Sequence, residues 1–284
     1  MVALEAFLKT HLPKKKRTEI RLHEQEEIRR RSKEGKSMST DAAKWPIFQA
    51  KLKSRNLVAE RTMAFHFEKP ASFVFTPGQF IDIDLLSPSE TDAEGNTRGF
   101  SVSSAPSEDT IMVTTRLRDT AFKRVLKTMP LETEVKIEGP FGDLRLHNNA
   151  MRAAVFLAGG IGVTPVRSIL LDAANRKLPH HIFLFFSNHR PEDAPFLDEL
   201  QSLEKSNANY KFIGTMTSME KSQRSWQGER GVINKEMLDR HLKDAVSPIY
   251  YIAGPPGMVK ALHAMLQTAG IDDDDVRTEE FTGY

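Results

Sequence analysis

The amino-acid sequence predicts a β + α/β architecture, a six-stranded antiparallel barrel followed by an open parallel sheet flanked by helices. Three observations carry that expectation. Over residues 46–150, short runs with alternating apolar side chains follow one another through turn-rich breaks, with one helical stretch among them. From Met151 onward, continuous apolar runs alternate instead with stretches of helical period, the pattern of a parallel sheet with crossover helices. The third is the chain start, where residues 1–45 form a basic extension with neither pattern, so the expected domains are 1–45, 46–150 and 151–284.

Along the first folded unit, "FQAKLKSRNLVAERTMAFHFEKP" reads as two strands around a polar break at Arg55–Asn56, with Met63, Phe65 and Phe67 alternating. "PGQFIDIDLLSP" puts Ile81, Ile83 and Leu85 on one face, and the insert "SPSETDAEGNT" leads to "RGFSVSSAP". "TIMVTTRLR" is a further strand, "AFKRVLKTM" a short helix and "TEVKIEGPFG" a last strand; six strands and one helix suit a small closed barrel. In the second unit "AAVFLA", "HIFLFFS", "YKFIGTMT" and "PIYYIAG" are buried strands, each followed by a helical stretch, and "VRTEEFTGY" supplies an edge strand.

Composition narrows the chemistry. The absence of cysteine excludes disulfides, thiolate zinc sites, cysteine nucleophiles and a cysteine-held iron–sulfur cluster within this chain. The nine histidines show no metal spacing, so no metal is expected. Net charge is +2, yet residues 1–44 alone carry +5, which makes the basic character a property of the extension and gives no support to a nucleic-acid-binding body. That extension, with "VALEAFLKTHL" and "PKKKR", is read as a solvated, partly helical segment, with membrane or partner docking as the alternative. Without an apolar run of membrane-spanning length or a signal-peptide core, the expected location is cytoplasmic.

Three motifs stand out. "RGFS" opens a strand with an arginine, which a strand that only filled a core would not need. "GGIGVTP", with Gly159, Gly160 and Gly162, lies where a strand turns into a helix, so backbone amides can approach a diphosphate; Thr164 can cap that helix and Pro165 suits its first turn. "AGPPGM", with Gly254, Pro255 and Met258, repeats the glycine–proline turn before a later helix.

With these motifs in this order, the chain resembles the ferredoxin–NADP reductase family, particularly short bacterial members built from a flavin barrel and a pyridine-nucleotide domain. The resemblance covers roughly Pro46 to Tyr284. It implies bound FAD, with Arg98 on the diphosphate, Phe100 against the flavin where relatives usually have tyrosine, and Ser101 near flavin N5. The helix at "RDTAFKRVL" would meet the diphosphate from the other side, Thr120 capping it and the Ala121 and Phe122 amides facing phosphate, though the usual Gly-x-x-Ser is missing. Thr115, with Thr114 and Arg116, would flank the flavin. The two glycine turns would hold NAD(P)H, with Ala253 where many relatives have cysteine. Glu280 best matches the family's C-terminal acid, Glu279 being the alternative, and Tyr284 or Phe281 would stack on the flavin. A 2′-phosphate could be met by Arg190, or by Arg224 and Arg230; the choice between NADH and NADPH stays open. The implied activity passes electrons singly to an external protein such as ferredoxin, flavodoxin or an oxygenase component. The alternatives are a free-flavin or ferric-chelate reductase and an electron-transfer or nucleotide-sensing subunit of a larger complex.

Overall fold

The computed structural model describes residues 45–281; the readings of the basic extension and of Tyr284 lie outside the described residues. The first sheet comprises β1 (Ile47–Ala59), β2 (Thr62–Glu68), β3 (Phe80–Leu85), β4 (Thr97–Ser101), β5 (Thr110–Arg116) and β6 (Glu134–Phe141), in the order β4-β3-β6-β1-β2-β5. All its pairings are antiparallel. An antiparallel bridge between Val102 and Val113 brings β5 back to the end of β4 and closes the barrel. The alternation in β2 and β3 points Phe65, Phe67, Ile81, Ile83 and Leu85 into its core. The helix α1 (Ala121–Thr128) adds Phe122, Val125 and Leu126 to that core.

The expected break at Arg55–Asn56 is not a break. β1 runs on to Ala59, and the turn falls at Glu60–Arg61, where Arg61 takes φ 54°. Both polar residues find partners inside the strand. Arg55 donates to the Met129 carbonyl (2.7 Å) past the end of α1, and Asn56 Oδ1 meets His66 Nε2 (3.0 Å) across the pair.

The second sheet contains β7 (Ala154–Gly159), β8 (Ile182–Asn188), β9 (Tyr210–Met216), β10 (Glu229–Arg230), β11 (Ile249–Gly254) and β12 (Val276–Glu280), ordered β10-β9-β8-β7-β11-β12. Every pairing is parallel. Its helices are α2 (Val163–Asn175), α3 (Leu197–Ser202), α4 (Lys235–His241) and α5 (Pro256–Thr268). All six residues of β7 and of β11 are buried, as continuous apolar runs in a sheet covered on both faces require. Strands progress outward from β7 through β8 and β9 on one side and through β11 to β12 on the other. The strand order therefore reverses between β7 and β11, which opens a crevice beyond their carboxyl ends. The two-residue β10 was not anticipated, because "ER" carries no strand pattern of its own.

Several side chains join the two units, Arg167 through the most partners. Arg167 of α2, 5% exposed, donates to the Ser103 carbonyl (2.7 Å), pairs with Glu108 (2.9 and 3.2 Å) and Glu199 (2.7 and 2.6 Å), and lies over the Phe196 ring. Beside it, Ser168 Oγ donates to the Ser104 carbonyl at 2.6 Å. Ala64, Met112 and Leu144 from the barrel side pack into the same apolar cluster as α2. Among the described residues, no helix is long and apolar enough to cross a membrane.

Candidate active site

A cleft of about 1070 Å³ lies between the barrel and β12. Arg98, Phe100, Ser101, Thr115 and Thr120 all line it. The ends of β4 and β5 and the start of α1 thus converge on one cavity, as the resemblance implies. The Phe122 ring is buried, tilted against Phe100 at 5.8 Å and under the Arg98 guanidinium at 5.3 Å. Thr120 does cap α1, accepting from the Lys123 amide.

Arg98 from β4, Arg116 and Arg118 at and just past the end of β5, and Lys123 from α1 gather around this cleft. The cost of crowding them shows at Lys123, where burial and then the neighbouring Arg118 and Arg98 push the ammonium down to about 8. Asp92, from the loop between β3 and β4, answers part of that charge. Its Oδ1 accepts from Arg98 (3.1 Å) and its Oδ2 from the Ala121 amide (3.2 Å), while Glu94 also pairs with Arg98 (2.9 Å). The Asp92 carboxylate thus bridges the two groups expected to hold a diphosphate, a stand-in anion showing that this corner fits one. Thr114 Oγ1 and Arg116 Nε, both buried and without a partner, are further groups left for a ligand. The donor set fits a flavin dinucleotide.

The acid joined to Ser101 is Glu279, not Glu280. Ser101 Oγ donates to Glu279 Oε1 at 3.1 Å, whereas Glu280 lines the same cleft with an exposed side chain. Alternation along β12 decides between neighbours: Arg277, Glu279 and Phe281 share one side of the strand, and the register sets Glu279 opposite Ala253. Burial raises Glu279 to about 7, and the Ser101 hydrogen bond lowers it only in part. Between its ordinary carboxylate value of 4.5 and about 7, the folded chain holds a proton that the unfolded chain has released. Stability therefore falls as pH rises through that window. Glu279→Gln is expected to flatten the decline; melting curves of both proteins at pH 5 and pH 8 check it, and an equal decline in the two would refute it.

A second cleft of about 870 Å³ is lined by Gly159, Gly160, Asn188, Pro255 and Met258, and Arg116 lines both cavities. The turn after β7 is a 3-10 turn, Gly160–Gly162, leading directly into α2. Gly162 is required by close approach, since a Cβ there would sit 2.2 Å from the Ala253 carbonyl oxygen, on the backbone of the other glycine turn. Thr164 is not the expected cap. It lies inside the first turn of α2, donates to the Ile161 carbonyl (3.0 Å) and lines the first cleft; Pro165 occupies the same turn. Gly254 accepts from the Phe281 amide at 3.0 Å, which ties the second turn to the end of β12. Phe281 lines the first cleft.

Arg190 is committed elsewhere. It pairs with Asp193 (2.8 and 2.9 Å) and with Glu60 (2.8 Å), so two carboxylates fill the guanidinium that sequence reading offered to a 2′-phosphate. Arg224 and Arg230 line a separate cavity beyond β9. Sequence reasoning missed Asp92, Arg118, Lys123 and Asn188. None of them stands out by residue type or spacing, and only the fold brings them to a cavity.

Residues 156–264 match the oxidoreductase NAD-binding domain family. The chain is 27% identical over 224 residues to the glycine betaine monooxygenase reductase subunit of Chromohalobacter salexigens, covering 78% of this chain and 60% of that protein. It thus spans about three fifths of that relative's length. Among solved structures, the flavohem-like FAD/NAD-binding domain of nitric oxide dioxygenase from Vibrio cholerae superposes with TM-score 0.70 at 18% identity, covering 82% of this chain and 98% of the other. A ferredoxin–NADP+ reductase from Neisseria gonorrhoeae with bound FAD and NADP gives 0.68 at 22%, also covering 82% and 98%. The antiparallel barrel and the α/β unit, whose residues 156–264 match an oxidoreductase NAD-binding domain, together form the ferredoxin–NADP reductase-like fold.

Proposed function

We propose that this chain moves hydride from NAD(P)H in the second cleft to FAD in the first, and hands electrons singly to a separate acceptor protein. The observation that carries this reading is the junction of the two cavities. They share Arg116, and the register of β11 against β12 holds the Gly254–Pro255 turn one strand from the Ser101–Glu279 pair. A bound flavin supplies two-electron acceptance and one-electron release.

The chain's own residues bind and orient. Arg98, Arg118, Lys123 and the first amide of α1 would hold the flavin diphosphate, with Phe100 beside the ring system. Gly159 and Gly160 would admit the nucleotide diphosphate to backbone contact. Ser101, fixed in direction by Glu279, would position the reacting edge, and closeness and alignment replace the thiol absent at Ala253. The reductase-subunit relative supports delivery to an oxygenase component, with ferredoxin or flavodoxin as the other carriers of this class.

Anaerobic titration of the purified protein with NADH and with NADPH tests the proposal. The flavin absorbance band is expected to bleach with at least one nucleotide, and no bleaching with either would overturn it. One observation favours a second reading, a reductase that takes flavin as an exchangeable substrate: the Asp92 carboxylate already occupies the corner a diphosphate would need. Flavin that stays with the protein through gel filtration supports the first reading, and flavin that separates supports the second.

A further inference from the structure

We propose that a third cavity is a site for a compact oxyanion of two or more negative charges, and that binding of the anion draws a proton onto His180. The cavity is lined by the connection between β6 and β7, the carboxyl end of α2 and β12. It holds about 740 Å³, shares only Arg277 with the first cleft and shares no residue with the second. Arg145, Arg176 and Arg277 line it against one carboxylate, Asp172, which pairs with Arg176 at 3.1 Å. The negative end of the α2 dipole adds to Asp172, yet the guanidiniums still outweigh both and leave charge for a dianion to meet. Two of them also have donors to spare. The Arg145 side chain meets no hydrogen-bond or ion-pair partner among the described residues. Arg277 bonds only through Nη1, to the Arg145 carbonyl (2.6 Å) and the Tyr251 hydroxyl (3.0 Å), so Nε and Nη2 stay open.

His180 lines the same cavity and is 6% exposed. Its Nε2 meets the His147 carbonyl at 2.8 Å, and its buried Nδ1 has no partner. A carbonyl only accepts, so Nε2 carries the hydrogen and Nδ1 is a bare lone pair until it takes a proton. His147, edge-on to it with ring centroids 5.1 Å apart, is already spoken for. Its Nε2 donates to the Arg152 carbonyl (3.1 Å), and its Nδ1 accepts from the Tyr251 hydroxyl (2.9 Å). The Tyr251 oxygen in turn accepts from the His147 amide (2.9 Å) and from Arg277, so the phenol hydrogen has no other place to go. Burial pushes the His147 imidazole down as well. The groups around His180 are thus Arg145 and His147 on the connection, Asp172 and Arg176 at the end of α2, Tyr251 on β11 and Arg277 on β12. An anion among them favours an imidazolium at His180, and that proton strengthens the hold on the anion by the same factor.

Calorimetric titration at constant ionic strength tests the site, on protein kept in excess flavin so that the first cleft is not the one titrated. Sulfate stands for a phosphate group and citrate for a polycarboxylate; the tighter of the two at pH 8 tells which chemistry the cavity prefers. Sulfate holds its charge between pH 6 and pH 8, so a proton taken up with it belongs to the protein. Wild type is expected to bind sulfate about fivefold or more tightly at pH 6 than at pH 8, with a heat at pH 7 that differs between buffers of unequal ionisation enthalpy. Arg145→Gln with Arg176→Gln, both exposed side chains, is expected to weaken both probes by about tenfold or more. His180→Gln keeps a donor for the His147 carbonyl but takes no proton, so the pH dependence and the buffer difference are expected to vanish. Wild type that binds neither probe overturns the inference. So does a double arginine variant that binds as wild type does, which would put the anion in another cleft, and so does a pH dependence that survives in His180→Gln. If His180→Gln does not fold, the buffer comparison on wild type decides, and no proton uptake there overturns the role of His180.

Discussion

Arg167→Ala is expected to lower the unfolding free energy by about 3 kcal/mol, the lower end for breaking a buried ionic group, because Glu108 and Glu199 keep 36% and 39% side-chain exposure and can partly rehydrate. For a chain of this size that is a fall of about 6–12 °C in melting temperature. The loss has three parts: two carboxylates without their cation, the Ser103 carbonyl without its donor, and an uncovered Phe196 ring. Arg167→Lys should recover only a fraction, since an ammonium cannot reach both carboxylates and the carbonyl in the guanidinium's planar geometry. Calorimetric melts measure both variants, and a shift under about 2 °C for the alanine variant would mean that Arg167 does not join the two units.

Gly162→Ala is expected to act more locally and as severely. The added Cβ would lie 2.2 Å from Ala253 O, 2.4 Å from Ala253 C and 2.6 Å from Gly254 N, all backbone atoms that cannot swing aside. One of the two glycine turns must move, at a cost of about 2–4 kcal/mol, somewhat above the usual range for overpacking. Because both turns belong to the second cleft, ADP affinity should fall by about tenfold or more as well. Gly257→Ala is the control: nothing lies within 4 Å of its added Cβ, and its helical position in α5 favours alanine. Melting temperature and ADP titration separate the two, and a Gly162→Ala protein indistinguishable from the control would contradict the close approach.

Local patterns in the sequence carried most of the architecture. The alternation around Phe65 and Ile83, the unbroken run of β7 and the two glycine turns each lie within one element, so neighbours in sequence suffice to read them. Features that depend on distant partners were not legible. The Ser101–Glu279 bond joins residues 178 positions apart, and the choice of Glu279 over Glu280 follows from which side of β12 faces Ser101. Arg190 looked available until Glu60, 130 positions away, was brought beside it. Arg55 and Asn56 looked like a turn because a polar pair signals one, and the end of α1 and His66 supplied partners that no local rule contains. Arg118 and Lys123 are ordinary cations in sequence and line the same cleft as Arg98 only because β4 and α1 meet.

The carboxylate of Asp92 gives Arg98 and the first amide of α1 a counterion carried by the chain itself. Arg98 and the first amide of α1 are already served by an anion that the chain carries, so this corner need not come apart when no ligand is present. An arriving diphosphate meets a competitor tethered on the loop between β3 and β4, whose short reach gives it a high effective concentration. A flavin diphosphate held there as proposed would carry more charge, and displacing the carboxylate would require enough flavin to outweigh the tether. On the proposed placement of the flavin, that loop would raise the flavin concentration at which these cations exchange the Asp92 carboxylate for the diphosphate.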